Sequence, residues 1–123
     1  MPDCHLVLLY VDSPETSAAF YAGLLGRAPL EASPTFALFG FDSGLRLGLW
    51  SRHTVEPAAP PAFGGVELAF ALADRAAVDA ACTDWRGRGL EILQEPVDLD
   101  FGRTFVALDP DGHRLRVFSP APE

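Results

Sequence analysis

Apolar and polar positions along the chain fall into two successive blocks with the same internal order. Residues 5–11 (HLVLLYV) are apolar and β-rich and run into Asp12-Ser13-Pro14, where a Ser or Asp cap precedes proline at the first helical position. The next segment, ETSAAFYAGLLG, carries Ser17, Phe20, Tyr21, Leu24 and Leu25 on one face and stops at Gly26, a left-handed cap. Three short strands fit residues 28–32, 35–41 and 45–50, with Ser33-Pro34 and Asp42-Ser43-Gly44 as turns. Residues 51–64 (SRHTVEPAAPPAFG) contain three prolines and no periodicity, the pattern of a linker.

The order then repeats. Residues 66–72 (VELAFAL) predict a strand, and Asp74 caps a helix over 75–88. Val78, Ala81, Cys82 and Trp85 recur there at helical spacing until Gly89. Strands follow at 90–93, 103–108 and 114–118, with Asp109-Pro110-Asp111-Gly112 as the last turn. Matching the caps Asp12 and Asp74 and the turn glycines Gly44 and Gly112 sets an internal register. The extra residues of the second block fall in QEPVDLDFG (94–102), read as a longer loop. Each block is too short to close a core easily by itself, so the blocks are expected to stack as a single domain. Its parts are module one (1–50), the linker (51–64) and module two (65–123).

Composition narrows the chemistry. With 123 residues, 49% hydrophobic and 21% charged, the chain is that of an ordinary globular domain. All nine basic residues are arginine, which excludes a Schiff base, a P-loop lysine or a lysine general base. A net charge of −8 with scattered arginines argues against nucleic-acid binding. Residues 1–15 lack a basic n-region and 5–11 is too short to span a bilayer, so a cytoplasmic protein without membrane contact is expected. Cys4 and Cys82 lack any CxxC spacing and read as free thiols. No nucleophile elbow or Cys–His pairing is legible.

The segments HLVLLYVDSPETSAAFYAGLLG and FVALDPDGHRLRVFSP resemble the vicinal oxygen chelate superfamily, which includes glyoxalases, bleomycin resistance proteins and dioxygenases. LGLWSRHTVEPAA with DFGRTFVALDPDGHRLRVF is similar to the phenazine antibiotic resistance proteins, members that bind a drug instead of transforming it. The resemblance implies an α+β fold of two tandem βαβββ modules, with curved mixed sheets around a cup, helices outside, and a homodimer.

Enzymes of this superfamily hold a divalent metal with one side chain from the first and one from the last strand of each module. Carried over onto this chain, those slots are His5, Gly48, Glu67 and Arg116. Gly48 offers no ligand, and the Arg116 guanidinium stays charged. Two like charges about 4 Å apart repel by ~4 kcal/mol at an effective dielectric of about 20, and a divalent ion doubles this. A Glu67–Arg116 ion pair is therefore the expected occupant, with no catalytic metal, no cofactor and no catalytic residue.

Strand parity places Arg46 and Trp50 on the face of Gly48, and Arg114 and Phe118 on the face of Arg116, with Ala69 and Ala71 beside Glu67. Small residues at Gly48, Ala69 and Ala71 beside an indole suggest a slot for a flat ring. His5 reads as either a ligand contact or a hydrogen-bonded core histidine. His53 is either a rim residue or solvated, Phe39 and Phe105 are either core or cup wall, and Arg46 is a further candidate. The functional expectation is non-catalytic binding of a small planar aromatic compound, an antibiotic of phenazine type. The alternatives are a metal-dependent glyoxalase-type lyase or dioxygenase, and a regulatory module with a vestigial cup.

Overall fold

The computed structural model describes residues 1–61 and 65–121. The predicted linker residues 62–64 and the last two residues of module two lie outside the described residues. The chain divides into two compact units, Met1–Ala62 and Phe63–Glu123, a division that falls within the stretch 51–64. The architecture is α+β, two tandem βαβββ modules, each a mixed four-stranded sheet with one helix.

The first unit runs β1 (Leu6–Val11), α1 (Pro14–Leu25), β2 (Glu31–Ala32), β3 (Phe36–Gly40) and β4 (Arg46–Ser51). Its strand order is β1-β4-β3-β2, with β1 parallel to β4 and the other pairs antiparallel. The α1 cap is Ser13: its hydroxyl accepts from the Thr16 N–H at 3.2 Å and Pro14 opens the helix. Gly26 closes it at φ 65°, and its N–H donates to the Ala22 carbonyl at 3.0 Å. Ser17, Ala18 and Tyr21 bury one helical stripe. Tyr21 meets Phe39 of β3 with ring centroids 6.5 Å apart. Leu47 and Leu49 of β4 and Leu9 and Val11 of β1 complete the apolar set on that parity, all essentially inaccessible.

The second unit repeats the plan: β5 (Glu67–Ala71), α2 (Arg75–Gly87), β6 (Ile92–Leu99), β7 (Gly102–Leu108) and β8 (Arg114–Pro120), in the order β5-β8-β7-β6. Asp74 caps α2 by accepting from the Ala77 N–H at 2.8 Å. Val78 and Cys82 of α2 form a core with Phe105, Ala107 and Val117, against which Trp85 and Phe70 pack. Trp85 meets Phe105 edge to face at 5.4 Å, and burial pushes the Cys82 thiol pKa up. Ion pairs tie the exposed side of α2 to the sheet, with Arg75 on Asp98, Arg86 on Glu95 and Arg103 on Asp79.

The segment expected as a long loop, 94–102, is largely strand. β6 continues through it to Leu99, with register irregularities between Ile92 and Gln94 and between Gln94 and Val97. Pro96 falls in the second irregularity, on a strand that pairs on one side only, so its missing N–H interrupts no ladder. Prolines and acids in a row read as a loop from sequence; an edge strand accepts both.

Gly102 enters β7 at φ 143°, and a Cβ there would lie 1.9 Å from the Ser119 carbonyl oxygen. A helical Cβ at Gly23 would meet nothing within 4 Å. Gly102→Ala is expected to destabilise by at least about 2 kcal/mol. Gly23→Ala is expected to stabilise by about 0.5–1 kcal/mol. Thermal and urea unfolding of the two variants measure both signs.

Candidate functional site

In both units the helix covers one sheet face and leaves the other open, and alternation along each strand decides which residues reach it. On the first sheet the registered rows of the open face are Leu6–Arg46–Gly40, Leu8–Gly48–Leu38 and Tyr10–Trp50–Phe36. On the second they are Glu67–Arg114–Leu108, Ala69–Arg116–Val106 and Ala71–Phe118–Thr104. Row by row, Arg46 corresponds to Arg114, Gly48 to Arg116 and Trp50 to Phe118, as strand parity predicts.

The first-strand slot is different from the one expected. The α1 cap is Ser13, not Asp12, and this moves the first-strand register by one residue. The counterpart of Glu67 is therefore Leu6, and His5 is displaced to the opposite parity. His5 is exposed just before β1, where its carbonyl accepts the Arg46 N–H at 2.8 Å. His53 turns to Asp12, with Nε2 2.7 Å from a carboxylate oxygen, and does not line the groove beside Trp50. Phe39 and Phe105 are inaccessible and lie on the helix-covered faces. The parity left open by the sequence thus resolves to core for both.

The open face of the first sheet holds an apolar groove of about 370 Å³ lined by Leu6, Leu8, Phe36 and Trp50. Phe36 meets Trp50 edge to face, with centroids 6.4 Å apart and planes at 90°. Gly48 lies on the same face between these residues but does not line the groove, because the space above it is taken by neighbours. A Cβ there would stand 2.6 Å from Leu8 Cδ2 and 3.1 Å from Phe36 Cε1. The glycine lets these two walls approach the sheet and does not leave a free slot of its own. Leu6, Leu8 and Phe36 were missed as site residues. Taking the Ser-Pro pair as cap and N1 would have recovered the two leucines, and registering β3 across the 42–44 turn would have recovered Phe36.

The second sheet's open face is ionic. Arg116 donates from Nε to Glu67 Oε2 at 2.8 Å, from Nη2 to Oε1 at 3.0 Å, and from Nη1 to the Thr104 hydroxyl at 3.2 Å. This fork matches the carboxylate with two parallel bonds. Its guanidinium also lies over the Phe101 ring at 5.7 Å, and Phe101 meets Phe118 edge to face at 6.1 Å. The hydrogen bond to Arg116 holds the Glu67 carboxyl below its usual range, and the same bond raises the Arg116 pKa.

These residues do not fit the divalent metal implied by the resemblance. The four equivalent slots read Leu6, Gly48, Glu67 and Arg116: two without a donor atom, one cation, and one carboxylate already bonded to that cation. Among the described residues no group of three or more His, Cys, Asp or Glu side chains is placed to hold a metal ion. Elemental analysis of protein purified without chelators is accordingly expected to find no near-stoichiometric nickel, zinc, iron or manganese.

The Glu67–Arg116 pair also makes a pH prediction. A depressed carboxyl pKa stabilises the fold above the unfolded carboxyl range, and that contribution disappears as pH falls through the folded value. Glu67→Gln is expected to cost about 1 kcal/mol at pH 7, a modest figure because Glu67 is a third exposed. The difference from the parent should narrow as pH falls below the usual carboxyl range. Urea midpoints at pH 7 and pH 3.5 test it.

Comparison with known proteins agrees with this geometry. The model of the Glyoxalase/Bleomycin resistance protein/Dioxygenase superfamily matches residues 4–117. Phenazine antibiotic resistance protein EhpR of Enterobacter agglomerans is 30% identical over 116 residues, 92% of this chain and 88% of that protein. The solution NMR structure of an Agrobacterium tumefaciens protein is 50% identical with a TM-score of 0.91, covering 99% of this chain and 100% of that one. A glyoxalase/bleomycin resistance protein/dioxygenase from Nocardioides has a TM-score of 0.82 at 26% identity, covering 98% and 84% of the two chains. The chain belongs to the glyoxalase/bleomycin resistance protein/dioxygenase superfamily.

Proposed function

We propose that this protein binds a small planar aromatic compound, an antibiotic of phenazine type, without transforming it. The observation that carries the reading is the Trp50–Phe36 pair at the wall of an apolar groove of about 370 Å³, a volume within the range of small-molecule sites. A flat ring can stack on the half-buried indole or meet its edge, gaining roughly 0.5–1.5 kcal/mol beyond area burial. The relative EhpR, by its name a phenazine antibiotic resistance protein, supports the class of ligand. The slots that hold metal in the superfamily's enzymes here carry leucine, glycine and a closed ion pair, which supports binding without turnover. We extend the proposal to a cytoplasmic homodimer, on the resemblance alone; sedimentation velocity tests the dimer.

Trp50 reports its own occupancy. Titration with phenazine and other planar heteroaromatics is expected to quench its emission, while Trp85, packed against the core of the other unit, supplies a constant background. Trp50→Ala should weaken binding, followed by calorimetry, by at least tenfold, on the order of 1.4 kcal/mol. Phe36→Ala should weaken it less. Failure of every member of such a panel to quench would count against the reading, and so would full affinity in Trp50→Ala.

A further inference from the structure

We infer that the compound held at the Trp50 groove carries a negative charge, a carboxylate or similar monoanion on its aromatic ring system, and that Arg46 receives it. The inference rests on the reading of that groove as an aromatic site and adds the ligand's charge. Arg46 shares its registered row with Leu6, which is itself a wall of the groove, so the guanidinium and the apolar surface have a common border. Across β4 its other registered neighbour is Gly40, and the next residue on the same face of its own strand is Gly48. None of these can accept a hydrogen bond through a side chain. Among the described residues Arg46 makes no ion pair and no side-chain hydrogen bond. The acid that shares its face, Glu31 on β2, is two strands away, about 9–10 Å at ordinary strand spacing, and level with Gly48.

The repeat supplies a control within the same molecule. At the corresponding position of the second unit, Arg114 stands next to Glu67, 3.8 Å from its carboxylate. There the acid sits in the row position that Leu6 occupies in the first unit. Replacing that acid by leucine opens the first sheet to an apolar ligand and leaves its arginine without a counter-charge. In a chain of net charge −8, an arginine left unmatched at the border of an apolar groove stands out. Guanidinium offers a planar fork of donors suited to two carboxylate oxygens at once. The two features then divide the work: Trp50 and Phe36 take the ring, and Arg46 selects for charge.

The test uses two probes of one shape, acridine-9-carboxylate and acridine-9-carboxamide, titrated calorimetrically into the intact protein at pH 7.5. The carboxylate is expected to bind about tenfold more tightly than the amide. Arg46→Gln should abolish that difference by weakening the carboxylate towards the amide, and Arg46→Lys should retain part of it. Raising salt from about 0.05 to 0.5 M should weaken the carboxylate selectively, since exposed charges are screened over that range. Equal affinities in the parent protein, or a carboxylate preference that survives Arg46→Gln, overturn the role of Arg46 and leave the aromatic groove standing. Absence of binding by both probes and by neutral phenazine overturns the groove and the charge assignment together.

Discussion

The interaction on which the rest of the structure depends is the packing of one helix against one face of each four-stranded sheet. It fixes the pleat. Once Tyr21 meets Phe39, and Val78 and Cys82 meet Phe105, every second residue on the neighbouring strands is committed to the core and the alternate set to the open face. A slip of one residue would exchange Leu49 for Trp50 and Val117 for Arg116, placing an indole and a guanidinium under helices. The cost of burying an unpaired charge excludes that alternative. The open faces therefore hold their side chains in place through burial on the opposite side of the same strands.

Freed from packing, the two open faces have diverged while their scaffolds stayed equivalent. Leu6, Leu8 and Tyr10 stand in the rows that Glu67, Ala69 and Ala71 occupy in the second unit, and Gly48 stands where Arg116 does. One face is apolar and aromatic; the other is organised by an arginine–carboxylate fork. Among the described residues neither face presents a group of three or more His, Cys, Asp or Glu side chains that could hold a divalent ion. The same fold thus carries two surfaces of different chemistry, and membership of the superfamily does not by itself specify a reaction.

Much of this was legible in the residues. The repeat, both helices, the caps at Gly26 and Asp74, and the faces of Arg46, Gly48, Trp50, Arg114, Arg116 and Phe118 follow from spacing and from turn chemistry that acts locally. The ion pair between Glu67 and Arg116 followed from the incompatibility of a guanidinium with a cation site. The misplacements have a common cause. Asp12 and Ser13 are both good caps, and local propensity does not separate them, yet the choice moves the first strand by one residue and turns His5 into Leu6. Phe39 and Phe105 were undetermined because a hairpin of unknown turn length has no fixed parity. Residues 94–99 read as a loop because edge-strand proline and loop proline look alike until the partner strand is known.

The sequence by itself determined the order of elements, the duplication, the absence of lysine chemistry and the residue types at the last strand of each module. These are properties of periodicity and composition, and they survive any uncertainty in register. Only the tertiary structure decided which histidines and phenylalanines reach the open faces, that Gly48 is roofed by Leu8 and Phe36, and that Arg46 lies among apolar neighbours while Arg114 has Glu67. Those facts depend on which residues stand opposite one another across strands. Cross-strand pairing is non-local, set when whole faces are buried together, and no short stretch of sequence contains it.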